Sequence, residues 1–239
     1  MANTFFRFKQ FTIQQDACAM KVSTDACLFG AWTAEYFPSN AQHVLDIGTG
    51  TGLLSLMNAQ KNKSSTFHAI EIDKPAAMQA ATNFEQSPWK NNFKIYHNSI
   101  QAFAEQNIQP YDVIISNPPF FQNDLKSNNE KRNLALHSEA LSLEELLTIA
   151  SKLLKDNGVF FLLMPFHRNT ETKLIGRQVG LHVEEEIHVK QTPTHTFFRT
   201  MFRFTKTTAT TKTSEIVIQH NNTYTTDFIE LLKDYYLYL

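Results

Sequence analysis

Short runs of branched apolar residues recur through the middle of the chain, and each is bounded by polar, proline or glycine turns. Apolar residues at helical spacing separate most of these runs, and this alternation predicts an α/β fold with a doubly wound, mostly parallel sheet. The runs that predict strands are Val44–Ile47, Thr66–Glu71, Phe93–Tyr96, Val113–Ile115, Val159–Met164, Leu181–Val189 and Thr196–Phe204. The last two runs lack an intervening helix, so we expect a seven-stranded sheet with an antiparallel edge strand.

Two flanking segments extend this predicted core, and we expect residues 1–239 to form a single domain. Residues 1–40 contain an alternating stretch, Phe6–Gln14, which predicts a strand or hairpin arm, and then a helix capped by Ser23 or Thr24. Residues 41–205 form the core. Residues 206–239 form a tail with a Thr/Lys linker, a short strand and a Leu- and Tyr-rich helix, which we expect to dock on the core.

The composition favours a globular protein and gives no sign of a membrane span or a metal site. The chain is 42% hydrophobic and 19% charged, which is typical of a globular protein. No apolar run approaches the roughly 20 residues of a membrane span, and the N-terminus lacks a signal-peptide core, so we expect a cytoplasmic protein. Cys18 and Cys27 are the only cysteines, and no cysteine or histidine has metal-ligand spacing, so no metal is expected.

Charge limits how the chain can bind nucleic acid. The formal net charge is −1, so binding would need a local patch and a pocket. Arg7 and Lys9 alternate with aromatic residues, a pattern that suits a nucleic-acid contact, although a strand that closes over the domain is the alternative. The polar loop 122–133 carries Lys126 and Arg132 and is either a solvated loop or a lid that grips a substrate.

The first predicted strand ends in Asp46-x-Gly48-x-Gly50-x-Gly52, which holds three of the seven glycines. A strand, a glycine loop and a helix form the first turn of a nucleotide-binding unit, because glycines let the backbone approach a ligand closely. A dinucleotide-binding loop needs glycine where Leu53 stands. The acid before the loop instead favours a ligand with a positively charged amino-acid end and no phosphate, such as S-adenosylmethionine. A glycine turn without a ligand is the alternative.

Polar residues after the next two predicted strands are further candidates for binding this ligand. Glu71 ends its strand where such a fold places an acid on a ribose diol, whereas Asp73 is expected to cap the following helix. Ser99, together with Asn98, is expected to reach the adenine edge. Three more candidates lie beside the start of the first predicted helix, where they can hold a charged group: Lys21, Thr24 and Asp25.

The segment Asn117-Pro118-Pro119-Phe120 follows the apolar run Val113–Ile115. The prolines forbid continuation of a strand or a helix, so a stiff corner begins here. The amide oxygen of Asn117 and the carbonyl of Pro118 can accept the hydrogens of a planar amine, while the ring of Phe120 stacks on its face. The alternative is a proline-rich turn with a core phenylalanine.

Together these motifs resemble those of S-adenosylmethionine-dependent amino-methyltransferases. Further stretches extend the resemblance to the bacterial tRNA1(Val) adenine-37 N6-methyltransferase family: Phe8–Ile13, Met20–Asp25, Leu28–Trp32, Leu141–Leu147 and the tyrosine-rich end. This resemblance implies a Rossmann-like class I methyltransferase that methylates the adenosine 3′ of the anticodon of a valine tRNA. It also implies catalytic roles for Asn117, Pro118 and Phe120 and a substrate contact at His137. We expect a monomer.

Two positions differ from the pattern of that family, and several other functions are compatible with the motifs. The family often has an acid near position 99, at the adenine edge, where this chain has Asn98 and Ser99. An arginine often precedes the histidine that matches His137, but this chain has Leu136 there, and Arg132 is a candidate to replace that arginine. The alternative functions are methylation of another RNA or DNA adenine, methylation of a protein glutamine, and a non-catalytic S-adenosylmethionine-binding module. The intact Asn117 and glycine loop disfavour the last of these.

Overall fold

A computed structural model describes residues 3–18, 20–106, 109–119 and 141–239. In chain order its strands are β1 (Phe5–Arg7), β2 (Thr12–Gln14), β3 (His43–Ile47), β4 (Thr66–Glu71), β5 (Phe93–His97), β6 (Tyr111–Ser116), β7 (Leu154–Pro165), β8 (His182–Lys190), β9 (Phe197–Thr205), β10 (Lys212–Val217), β11 (Gln219–His220) and β12 (Thr223–Tyr224). Over the described residues its α-helices are α1 (Thr24–Glu35), α2 (Leu53–Lys61), α3 (Lys74–Glu85), α4 (Ile100–Gln106), α5 (Leu143–Leu153), α6 (Asn169–Gln178) and α7 (Thr226–Leu232).

A central sheet of eight described strands has the order β10-β8-β9-β7-β6-β3-β4-β5. The strands β3 to β7 are mutually parallel where they pair, as the alternation of strands and helices predicts. Helices cover both faces, so alternate residues of a strand enter different core clusters. Val113 and Ile115 pack with residues of α1 and α2, whereas Ile114 packs with residues of α4 and α5. Burial on both faces explains why these strands are continuous apolar runs.

The α/β class and the mostly parallel sheet are confirmed, and two details differ from the sequence-based expectation. Strand β10 adds an eighth strand parallel to β8, so the tail supplies the edge of the sheet. Within the described central sheet, β9 is the strand that runs antiparallel to its neighbours, and it lies between β7 and β8 instead of at the edge. Residues 212–215 at the start of β10 are exposed, so they carry no apolar pattern that would predict their pairing.

The N-terminal hairpin β1–β2 contacts the C-terminal tail at the far end of α2. The Lys9 backbone N–H donates to the Tyr235 carbonyl at 2.8 Å, and the Tyr235 hydroxyl donates to the Met57 carbonyl at 3.1 Å. Lys61, the last residue of α2, forms an ion pair with Asp234. Since α2 begins at the glycine loop and ends here, Lys9 lies at the opposite end of this helix from the loop. None of the helices in the described ranges is long and apolar enough to cross a bilayer.

Candidate active site

The glycine loop joins β3 to α2 in a conformation that favours glycine. Gly48, Gly50 and Gly52 have φ of 70°, 56° and 83°, in the left-handed region that other residues rarely adopt. The N–H groups of Gly48 and Thr49 donate to the Ile70 carbonyl at 2.9 and 3.0 Å, which ties the loop to the end of β4. Among the described residues, nothing lies within 4 Å of where a Cβ on Gly48 or Gly50 would stand. The loop therefore presents open backbone to a ligand.

Asp46 is fully buried directly beneath this loop. Its Oδ2 accepts hydrogen bonds from the hydroxyls of Thr49 and Ser55, both at 2.7 Å. Its Oδ1 is buried and has no hydrogen-bond partner within the described part of the chain. Burial raises the pKa of Asp46 to about 6, although the two hydroxyls oppose the rise. A buried carboxylate with one free oxygen favours a cation close by.

Glu71 ends β4 and links the loop to the start of the next helix. Its Oε2 accepts the Gly50 N–H at 2.8 Å, and its Oε1 accepts the Asp73 N–H at 2.9 Å. Asp73 in turn accepts the Ala76 N–H at 3.0 Å, which confirms that it caps α3. Two backbone donors thus hold the Glu71 carboxylate in one orientation at the pocket.

A pocket of about 250 Å³ lies at the carboxyl ends of β3, β4 and β6. Several predicted site residues line it together: Gly48, Gly50, Glu71, Ser99 and Pro118. Asp46 and Gly52 lie behind the loop and shape it from beneath. This position agrees with the rule that ligands of such sheets bind at the carboxyl ends of the strands.

Asn98 and Ser99, the residues expected at the adenine edge, each accept a hydrogen bond from a backbone N–H group. Asn98 Oδ1 accepts the Ser99 N–H at 2.9 Å, and Ser99 Oγ accepts the Ala102 N–H at 3.1 Å. Both side chains therefore stabilise the start of α4 while they line the pocket. The Asn98 N–H donates to the Glu71 carbonyl at 3.0 Å, which holds this turn against the end of β4.

The corner after β6 lies on the opposite side of the pocket. The Ser116 hydroxyl donates to the Ile47 carbonyl at 2.9 Å, so β6 and β3 end side by side. Pro118 and Pro119 line the pocket. The Asn117 Oδ1 is buried and accepts no hydrogen bond from any residue that the structure describes. Four other predicted site residues lie outside the described residues: Phe120, Lys126, Arg132 and His137.

The structure does not bring the candidates near α1 into the described lining of the pocket. Asp25 Oδ2 accepts from Arg199 Nε at 2.8 Å, so this carboxylate joins the start of α1 to β9. Lys21 Nζ donates to the Asn3 carbonyl at 3.3 Å, and Thr24 is the first residue of α1. Neither of the basic candidates of the hairpin lines the described pocket: Arg7 is exposed on β1, and the Nζ of Lys9 donates to the Lys233 carbonyl.

Three apolar or weakly polar side chains of the pocket were missed from the sequence. Ile72 follows Glu71 directly, is 57% exposed and lines the pocket. Cys18 and Met20 line the pocket from the segment between β2 and α1. The stretch Met20–Asp25 contributed to the family resemblance, but nothing in the sequence placed Cys18 or Met20 at the pocket. In the described ranges no group of three or more His, Cys, Asp or Glu side chains is arranged to hold a metal ion.

Comparison with known proteins identifies relatives over nearly the full length. Residues 31–186 match the family model described as methyltransferase small domain. A protein of Dyadobacter fermentans named tRNA1(Val) (adenine(37)-N6)-methyltransferase is 41% identical over 98% of this chain and 98% of its own. Proteins of the same name from Flavobacterium psychrophilum and Pseudoalteromonas translucida are 39% and 41% identical over 97% of this chain and 99% and 98% of theirs.

Solved structures support the same fold. A protein described as a predicted O-methyltransferase from Agrobacterium tumefaciens superposes with a TM-score of 0.67 and 15% identity, over 87% of this chain and 95% of its own. A ribosomal protein L11 methylase from Lactobacillus delbrueckii superposes with a TM-score of 0.59 and 11% identity, over 81% and 83%. The chain therefore belongs to the methyltransferase small domain family and, within it, to the group of bacterial proteins named tRNA1(Val) (adenine(37)-N6)-methyltransferase.

Proposed function

We propose that this protein transfers the methyl group of S-adenosylmethionine to N6 of adenosine 37 in tRNA1(Val). The relatives that carry this name are about 40% identical over nearly the whole chain. The single structural observation that carries the chemistry is the buried Asn117 Oδ1, which has no partner among the described residues and lies at a corner beside the pocket. An acceptor in this position suits an amine that brings its own hydrogens.

The residues of the pocket fit S-adenosylmethionine. The bare backbone at Gly48 and Gly50 leaves room for the ligand, and the Glu71 carboxylate keeps lone pairs for the ribose hydroxyls beyond its two backbone donors. Ile72 and Ile100 supply apolar walls next to Asn98 and Ser99 for the adenine. When bound, S-adenosylmethionine supplies an electrophilic methyl group on a sulfonium.

The negative charge of Asp46 complements the ammonium and sulfonium of this cofactor. The Asp46 carboxylate lies under the loop and has one buried oxygen without a described partner, so a cation above the loop relieves part of its desolvation cost. Lys21, Thr24 and Asp25 are less suited to this role, because in the described structure they bond to other parts of the protein or lie outside the pocket lining.

In the proposed reaction the Asn117 amide oxygen and the Pro118 carbonyl accept the two hydrogens of the adenine amine. These bonds draw the nitrogen towards tetrahedral geometry and direct its lone pair at the methyl group. They also stabilise the positive charge that develops on nitrogen, so positioning and electrostatics carry the rate, without a strong base before transfer. As the new N–C bond forms, the bond between the methyl carbon and sulfur would break, S-adenosylhomocysteine would leave with the electron pair, and the extra proton on nitrogen would pass to solvent. Stacking on Phe120 is proposed to contribute about 1–3 kcal/mol to holding the base.

The remaining substrate contacts are proposed from the charge pattern of the sequence and, for Arg132 and His137, from the resemblance to the family. We propose Lys126, Arg132 and His137 as contacts to the RNA, together with the exposed Arg7. An anticodon-loop base is unpaired, so turning it into the pocket costs less than flipping a base out of a duplex. The proposed enzyme acts as a monomer in the cytoplasm.

The test is methyl transfer from labelled S-adenosylmethionine to unmodified tRNA1(Val) transcripts that carry adenosine or guanosine at position 37. We expect label only in the adenosine transcript, recovered as N6-methyladenosine. Label in ribosomal RNA, DNA or protein, with neither transcript labelled, would keep the methyltransferase chemistry and overturn the proposed substrate. Binding of S-adenosylmethionine without transfer to any of these acceptors would favour the binding-module alternative.

A further inference from the structure

Asn83, on the last turn of α3, joins the N-terminal hairpin to the glycine loop. Its Oδ1 accepts the Gln14 N–H at 2.9 Å. Its Nδ2 donates to the Gln14 carbonyl at 3.0 Å and to the Thr51 carbonyl at 2.8 Å. The side chain is 1% exposed, and these three bonds use both amide hydrogens and the oxygen. Thr51 lies between Gly50 and Gly52, so one amide group holds two segments that are distant in sequence.

Gln79 makes a second pair of bonds one turn earlier on the same face of α3. Its Oε1 accepts the Ala17 N–H at 2.8 Å, and its Nε2 donates to Asp16 Oδ1 at 2.7 Å. These residues lie in the connection between β2 and α1, which has no helix or strand in its described part. Side chains of α3 therefore hold the first part of the connection, while Gln15 holds its later part, since Gln15 Oε1 accepts the Val22 N–H at 2.8 Å.

The consequence of these bonds lies at the cofactor pocket. Cys18 follows directly after the residues that Gln79 holds, Met20 comes two residues later, and both line the pocket together with Asn98 and Ser99. Met20 is 51% exposed, so its side chain is accessible at the pocket. The segment thus forms an outer wall of the pocket, while the glycine loop forms its floor.

We propose that Asn83 is a positioning residue for the cofactor site, because it sets the distance between the glycine loop and the outer wall formed by Cys18 and Met20. Gln79 acts with it by fixing the residues just before that wall. This inference rests on the proposed function, since it takes S-adenosylmethionine as the ligand of the pocket. Neither side chain touches the reacting atoms, so both act through the geometry of the pocket.

The test measures binding of S-adenosylhomocysteine, the product form of the cofactor, by calorimetry without RNA. We expect Asn83→Ala to weaken binding at least tenfold and Gln79→Ala about threefold to tenfold. KM for S-adenosylmethionine should rise in parallel while kcat at saturation changes less than about twofold. Alanine favours the helix at both positions, so α3 itself is preserved. If Asn83→Ala does not fold, Gln79→Ala alone decides the matter, because this side chain lies at the surface.

A matched control is Asn92→Ala. Asn92 also donates to two backbone carbonyls, those of Lys63 and Ser65, at 2.6 and 2.9 Å. Both carbonyls precede the amino end of β4, whereas the pocket lies at its carboxyl end. The Asn92→Ala variant should bind S-adenosylhomocysteine as the wild type does. Equal affinity of wild type, Gln79→Ala and Asn83→Ala, or equal weakening by Asn92→Ala, would overturn the proposal.

Alkylation of Cys18 gives an independent readout of the wall. Burial, together with the Glu71 and Asp73 carboxylates, raises the pKa of Cys18 to about 11, so labelling is followed near pH 9. S-adenosylhomocysteine should slow labelling of Cys18 in the wild type, and Gln79→Ala should speed it without ligand. The fully buried Cys27 is the internal control for global unfolding. Unchanged Cys18 labelling in the variant would overturn the proposal.

These measurements separate this inference from the proposed function. If the wild type binds S-adenosylhomocysteine but methylates no tRNA, the proposed substrate fails while the role of Asn83 stands or falls on the affinities above. If the wild type binds neither form of the cofactor, the proposed function fails and the inference fails with it.

Discussion

The ring of Phe84 lies so close to Gly52 that a Cβ on Gly52 would stand 2.5 Å from Phe84 Cε1. Phe84 cannot move aside easily, because its ring stacks on Phe93 at a centroid distance of 4.3 Å. Gly52 also has a φ of 83°. Two independent constraints, one steric and one conformational, therefore require glycine at the end of the loop.

Gly52→Ala should reduce both stability and cofactor affinity. The left-handed backbone alone costs a non-glycine residue about 1–2 kcal/mol, and the clash with Phe84 adds to this and displaces the loop. We expect a loss above about 2 kcal/mol in urea denaturation and at least tenfold weaker binding of S-adenosylhomocysteine by calorimetry.

Gly180→Ala is the control for the conformational part of this effect. Gly180 has a φ of 78°, but among the described residues nothing lies within 4 Å of where its Cβ would stand. Its variant should lose about 1–2 kcal/mol and retain the cofactor affinity. If Gly180→Ala weakened binding as much as Gly52→Ala, the loop would not be the cause.

Asp46→Asn should remove the negative charge beneath the loop and keep the two hydrogen bonds of this side chain, since an amide oxygen can still accept from the hydroxyls of Thr49 and Ser55. The pKa of Asp46 in the folded protein, about 6, exceeds its ordinary value of 3.8. Between these values the folded state binds more protons than the unfolded state, so this group lowers stability as pH rises through that window. The variant should therefore be more stable than the wild type at pH 8, by up to about 3 kcal/mol.

The same substitution should weaken binding of S-adenosylmethionine about tenfold at pH 8, because the charge that favours the cation is gone. Wild-type affinity should fall as pH drops through about 6, where Asp46 takes up a proton, and the variant should lack this dependence. Calorimetry between pH 5 and pH 8 measures both effects. Wild-type affinity and wild-type pH dependence in the Asp46→Asn variant would contradict a role for the charge.

Asn117→Ala should slow single-turnover methyl transfer by about 100- to 1000-fold, because it removes the acceptor that orients the amine and stabilises its developing charge. Rapid quenching with the enzyme in excess over tRNA measures this rate. Asn62→Ala serves as the matched control, since Asn62 lies at the far end of α2 and donates to the Asn58 carbonyl. An unchanged rate in Asn117→Ala would exclude the proposed mechanism.

Asp112→Ala should destabilise the protein without affecting cofactor binding. Asp112 accepts hydrogen bonds from the N–H groups of Gln42 and His43 at 3.1 and 2.9 Å and from Lys155 Nζ at 2.7 Å. These bonds lie at the amino end of β6, whereas the pocket lies at its carboxyl end. Losing these bonds should cost about 2–3 kcal/mol in urea denaturation at pH 7. In the exposed pair of Lys90 and Glu85, Glu85→Ala should cost less than about 0.5 kcal/mol.

The effect of Asp112 should also depend on pH. Burial raises the pKa of its carboxyl, but the bonds from Lys155, His43 and Gln42 outweigh burial and hold the pKa below the ordinary value of 3.8. Its contribution is therefore complete above the ordinary pKa and is lost as pH falls through the lowered one. The difference in stability between wild type and Asp112→Ala should shrink below about pH 4. A constant difference down to pH 2 would contradict this assignment.

The parts of the fold and site that local sequence determines were predictable. A strand that leads into Gly48, an acid at the end of the next strand and a cap at Asp73 each follow from short-range chemistry. The corner that carries the Asn117 amide was predicted for the same reason, since two prolines follow the strand, whereas the burial of its Oδ1 was not.

The remaining features depend on contacts between distant segments. Cys18 and Met20 reach the pocket because Gln79 and Asn83 hold the chain before them. No local sequence pattern marks Gln79 or Asn83 for this role. Lys9 alternates with aromatic residues as a nucleic-acid contact would, yet the partner of its side chain, Lys233, lies 224 residues away.

The contact between the hairpin and the tail has a consequence for synthesis of the protein. Phe6 and Phe8 leave the ribosome before the glycine loop does, but one of their aromatic contact partners, Tyr236, is made long after that loop. Contacts of such long sequence separation form late, after the local β-α units. A nascent chain therefore has the glycine loop long before the hairpin is anchored from both sides, so we expect full affinity for the cofactor to develop only after Tyr236 has been made.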